Sequence, residues 1–140
     1  MYKPVVTKMT GTKILTLAGV FLNVVGVFLP WGQEVWPAGV MGPHSKIGIG
    51  FPLGIITLVG SIIFVLSFLM LELKEWRLAI NLMVIGGVAA TVSPLLWIMN
   101  PGTLSLSSLS YRVVYGVYVS FIGGCLELIG MAIKINNLTK

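Results

Sequence analysis

Apolar residues run almost unbroken through four stretches of this chain, and the polar ones gather between them. The runs predict helical spans over 14–31, 52–71, 78–99 and 113–133, each within the roughly 17–25 residues that a helix needs to cross about 30 Å of hydrocarbon. Pro52 stands in the first turn of the second span, where its missing N–H costs nothing. Pro30 and Trp31 close the first. Glu72, Lys74, Glu75 and Arg77 separate the second span from the third and impose a tight antiparallel hairpin. The first run follows Lys3, Lys8 and Lys13 and so resembles a signal peptide; its length and the lack of a small-x-small site after it predict an uncleaved signal anchor.

Between the first two spans lies a turn-forming Gly42-Pro43-His44-Ser45 segment. The stretch 38–41 before it and the alternating 46–51 after it predict a small extracellular β-hairpin. A second outer segment, 103–111, alternates Leu104 and Leu106 with Ser and Thr at a period of two. The fold class expected is therefore all-α integral membrane protein: one domain over residues 1–140, a four-transmembrane-helix bundle with a little β-structure at one end.

Composition supports this. Hydrophobic residues make up 56% of the 140 and charged ones 9%, too apolar a balance for a water-soluble fold of this size. The net charge of +5 is spread over the ends of the apolar runs rather than clustered in a stripe, which excludes nucleic acid as a partner. Lys3, Lys8, Lys13, Lys74, Arg77, Lys134 and Lys140 fall on one side of the spans, against Lys46 and Arg112 on the other. The positive-inside rule then puts both termini in the cytoplasm. Trp31, Trp36, Trp97, Tyr111 and Tyr115 gather at the outer interface and Trp76 at the inner one. The location expected is a plasma membrane, prokaryotic given so few cysteines, or a viral envelope derived from one. Membrane lipids are its first partners.

Small and polar residues mark the inward faces, because lipid offers no hydrophobic drive for helix association. In the fourth span Gly116, Ser120, Gly123, Glu127, Gly130 and Lys134 repeat at four, three, four, three, four. The first repeats that spacing with Thr12, Thr16, Gly19, Asn23, Gly26 and Pro30. These are expected to be helix-packing seams, with a weaker stripe of Ala79, Gly86, Ala90 and Ser93 in the third span and of Gly50, Gly54, Thr57 and Ser61 in the second.

Glu127 is a carboxylate inside a span, a position costing about 2.5 to 3.5 kcal/mol on insertion scales, so it faces protein or water. Counting back from Lys134 sets it about 10 Å from the inner boundary. Asn81 and Thr16 fall at a comparable depth, and with Asn23 they make the expected intramembrane polar cluster. One reading has that cluster lock the register of the bundle. The other makes Glu127 a proton or cation site.

No catalytic, metal or cofactor constellation accompanies these features. His44 is the one histidine, with no Cys or Asp beside it, and no nucleophilic triad can be assembled. Cys125 has no partner for a disulfide. Asn137-Leu138-Thr139 fits a glycosylation sequon that the expected orientation keeps in the cytoplasm.

Four spans, both ends inside, Trp31 at the exit of the first helix and a β-forming outer loop are similar in layout to the claudin and PMP22-like tetraspan proteins. That family adds a Gly-Leu-Trp element and two cysteines in the outer loop, where this chain has Trp31 and Trp36 and no cysteine. The resemblance implies architecture and not activity. The function expected is non-catalytic: a structural or accessory subunit, packing laterally as a homo-oligomer or with other membrane subunits. A small oligomeric transporter or channel coupled through Glu127 is the alternative.

Overall fold

The computed structural model describes residues 11–36, 41–72, 76–101 and 110–138. Four helices carry it: α1 (Gly11–Phe28), α2 (Pro52–Glu72), α3 (Trp76–Met99) and α4 (Tyr115–Leu138). All four are long and apolar enough to cross a membrane. They run alternately up and down, α1 packed chiefly on α4 and α2 chiefly on α3, while α3 and α4 join the two pairs and α1 touches α2 sparingly. Outward faces are apolar, with Phe21, Ile62, Leu66, Ile85, Leu96 and Ile122 all exposed. A surface of that composition is stable only against lipid or another apolar partner.

A three-stranded antiparallel sheet closes one end of the bundle. Its strands are β1 (Pro30–Val35), β2 (Met41–Ile47) and β3 (Ser110–Val113), in the order β2-β1-β3. The two connecting segments at that end thus form one sheet, pairing Gln33 with Ser45 on one side and with Arg112 on the other. This corrects the expected hairpin. Gly42-Pro43-His44-Ser45 lies within β2 and is not the turn, and 48–50 form a short 3-10 helix. A proline is accommodated because β2 is an edge strand and its register with β1 shifts between Gln33 and Val35. Residues 38–40 of the expected first strand and 103–109 of the second outer segment lie outside the described residues.

The first helix also ends sooner than expected, at Phe28. Pro30 and Trp31 open β1 instead, and Trp31 turns inward with its indole N–H donating to the Gly26 carbonyl at 2.9 Å. Trp97 donates to the Trp31 carbonyl at 3.1 Å. Phe51 stacks 4.1 Å from Trp97 and meets Tyr111 edge-on at 5.2 Å. Trp31, Trp97 and Tyr111, expected at an interfacial belt, are thus buried in a cluster with Val27, Leu53 and Val117 that fastens the sheet to the helix ends. Phe28, Trp36, Tyr115 and Tyr118 are aromatics left exposed there. On the sheet, Lys46 donates to the Tyr111 hydroxyl at 3.0 Å and lies 3.7 Å from Glu34. The Tyr111 bond is the main reason its pKa is raised. A second apolar cluster, Phe64, Phe68, Leu71, Ala79 and Met83, fills the opposite end of the bundle.

A candidate functional site in the middle of the bundle

The polar stripes of α1 and α4 face each other along their length. A Cβ on Gly19 would lie 2.8 Å from both the Glu127 nitrogen and the Gly123 carbonyl oxygen, so only glycine permits this approach. Gly26 backs onto Ser120, Gly116 onto Pro30, Gly123 onto Asn23, and Gly130 onto the Thr16 hydroxyl. Ser120 donates to the Asn23 backbone carbonyl at 3.2 Å. Between α2 and α3 the contact point is Gly60 against Gly86, and a Cβ on Gly60 would stand 2.8 Å from the Gly86 oxygen. Gly60 falls outside the stripe of Gly50, Gly54, Thr57 and Ser61 that the spacing marks in the second span, so the sequence pattern does not point to it.

The seams bring one polar layer together between the two apolar clusters, with a contribution from every helix. From α4 comes Glu127, which is fully buried, as is Asn23 from α1. From α2 comes Ser61, whose hydroxyl donates to Glu127 Oε1 at 3.1 Å. From α3 comes the carbonyl of Ala90, which accepts from Asn23 Nδ2 at 3.3 Å. Thr91 abuts Gly124 and spends its hydroxyl on the Gly87 carbonyl at 2.8 Å. The Asn23 amide, one of whose two N–H groups goes to Ala90, also lies within donating reach of the carboxyl. Among the described residues, three buried side-chain oxygens have no hydrogen-bond partner: Thr16 Oγ1, Asn23 Oδ1 and Glu127 Oε2.

The expected partners of Glu127 are therefore only partly those found. Asn23 is in place, and Thr16 is buried one turn further along, against Gly130. Asn81 is exposed and does not join the cluster. It shares the outer face of α3 with Leu78, Ile85, Val88 and Val92, while Ala79, Met83, Gly86 and Ala90 face inward. Depth alone had matched it to Glu127; the helical phase turns it away. Ser61 takes the role instead, and its position in the small-residue stripe of α2 was the available signal.

Why Asn23 sits where it does follows from Pro94, the proline inside α3. Proline has no N–H to give to the carbonyl four residues back, which is that of Ala90. In an apolar surrounding a freed carbonyl must find another donor, and the Asn23 amide supplies it. His44 is exposed in β2, and among the described residues no three His, Cys, Asp or Glu side chains come together as metal ligands would. Comparisons with protein-family models, with curated proteins and with solved structures give no match.

Proposed function

We propose that the chain is a non-catalytic membrane subunit, with its sheet on the outer face and both termini in the cytoplasm, that works by lateral association with copies of itself or with a larger membrane complex. The observation that carries this reading is how the polar material is used. The glycine seams are consumed between helices of one chain, and the polar layer lies between the Trp31–Trp97 cluster on one side and the Phe64–Phe68 cluster on the other. What remains for contacts is the apolar outside of the helices and the sheet anchored by Trp31 and Trp97. The orientation rests on the distribution of Lys and Arg. Native mass measurement after extraction into lipid nanodiscs tests the reading. A species at a multiple of 15.1 kDa, or a defined heterocomplex, is the expected result, and a monomer at every protein-to-lipid ratio refutes it.

A second reading has a specific observation in its favour. Glu127 is a fully buried carboxyl whose neighbours Asn23 and Ser61 are uncharged, an arrangement found where a proton or cation is handled within a membrane. Under it, reconstituted protein supports a proton- or cation-linked flux that Glu127→Gln abolishes while assembly persists. Absence of flux from both forms removes it.

A further inference from the structure

The lipid-facing surface of a span has no water to solvate a polar group, and on α1 and α2 that surface is apolar, with Ile14, Phe21, Ile62 and Leu66 turned outward. On α4 the exposed polar side chains lie at the ends, tyrosines near the outer one and Asn136 and Asn137 in the last turn. α3 departs from this. Asn81 is exposed on its outer face between Leu78 and Ile85, about 6 Å beyond Arg77 at 1.5 Å per residue. Arg77 has a long side chain that reaches the headgroup layer from its place in the first turn. The asparagine side chain is short, and Leu78, Ile85 and Val88 of its own stripe hold neither donor nor acceptor for it. Packing of the bundle makes no use of it either, since Ala79, Met83, Gly86 and Ala90 form the inward face of α3.

We propose that Asn81 marks the face on which two copies of this chain associate, α3 against α3, with the two Asn81 amides hydrogen-bonded to each other. The inference rests on the lateral-association reading and names its partner and its surface. An amide carries both N–H donors and a carbonyl acceptor, so it is complementary to itself. Two copies inserted in one orientation are related by a two-fold axis along the bilayer normal. Their α3 helices then run parallel, and a residue facing the axis meets its own copy at the same depth. The outer stripe of α3 suits that contact: Leu78, Asn81, Ile85, Val88, Val92 and Leu96 are spaced three, four, three, four, four, close to the 3.5-residue repeat along which parallel helices stay together. A single asparagine in such a seam fixes its register and the number of strands. Aliphatic side chains gain nothing by leaving lipid for one another, so the amide pair is what distinguishes this stripe from the apolar ones of α1 and α2.

Fluorescence energy transfer between full-length chains in liposomes tests it, with Cys125 replaced by serine and dyes attached at Asn137→Cys. Dilution of the protein into lipid gives a dissociation constant. Asn81→Leu is expected to raise that constant roughly 5- to 30-fold, the range for losing an interhelical polar hydrogen bond in lipid. Asn81→Gln keeps an amide at the same depth and is expected to retain most of the affinity. Asn81 is exposed, so neither variant disturbs the bundle, and unchanged circular dichroism and SDS unfolding verify this. Ile85→Cys, one turn along the stripe, is expected to give a disulfide-linked dimer on oxidation, and Ile62→Cys on the outer face of α2 is not. A dissociation constant unchanged in Asn81→Leu, or cross-linking through Ile62→Cys instead of Ile85→Cys, overturns the α3 interface and leaves lateral association standing. A defined heterocomplex holding one copy of the chain does the same. A chain that stays monomeric at every protein-to-lipid ratio overturns both.

Discussion

Replacing Gly19 by alanine tests the closest approach in the bundle. The added methyl would lie 2.8 Å from two backbone atoms of α4 and 3.0 Å from the Leu126 Cβ, where ordinary contact begins at 3.4 Å. Backbone atoms within a helix cannot swing aside, so α1 and α4 must part by about 0.6 Å. A gap of roughly 0.5–1 Å already forfeits a quarter to a half of each dispersion contact it opens. The loss extends to the neighbouring contacts of Thr16 with Gly130 and of Gly26 with Ser120. Overpacking of this kind costs about 1–3 kcal/mol. Helix propensity returns up to about 1 kcal/mol, so a net loss of about 0–2 kcal/mol is expected. Gly11 on the same helix is the control, since a Cβ there meets nothing within 4 Å and alanine can only help the helix. Unfolding by SDS in mixed micelles, followed by far-UV circular dichroism, reads the difference. Gly19→Ala as stable as Gly11→Ala refutes the α1–α4 seam.

Other substitutions probe the layer and the cap. Ser61→Ala removes the donor to Glu127 Oε1 and leaves a buried acceptor, which is expected to cost about 1–3 kcal/mol in the same unfolding assay. Trp97→Phe keeps the aromatic packing but loses the bond to the Trp31 carbonyl, which the Val114 N–H still serves at 3.0 Å; a smaller cost of about 0.5–1.5 kcal/mol follows, visible as a shift in the tryptophan fluorescence of the sheet end. Pro94→Ala restores an N–H to α3, so Asn23→Leu is expected to cost less in that background than in the wild type, by about 0.5–3 kcal/mol in a double-mutant cycle. Strict additivity of the two contradicts the link between Pro94 and Asn23.

The four spans are legible in the sequence because unbroken apolar runs of this length have few other uses, and the spacing of glycines is enough to mark the inner faces of α1 and α4. The errors come from information that only the packed chain holds. Trp31 is counted into the first span by its apolarity, yet the sheet needs it as a buried anchor. Gly42-Pro43 reads as a turn, yet an edge strand with a shifted register admits both residues. Asn81 has the right depth and the wrong face, and depth can be counted along a helix while facing depends on its neighbours. The pairing of Asn23 with a carbonyl freed by Pro94 joins residues 67 apart in the chain, and no local pattern encodes that.

The central claim is a membrane-spanning four-helix bundle whose sheet faces outward while both ends stay inside. Cysteine labelling in intact cells tests it most directly, on a chain whose Cys125 is replaced by serine. The probes are Ser45→Cys on β2 and Asn137→Cys at the end of α4, both exposed positions. A membrane-impermeant maleimide is predicted to label Ser45→Cys at once and Asn137→Cys only after permeabilisation. Labelling of both from outside, or of Asn137→Cys alone, contradicts the account.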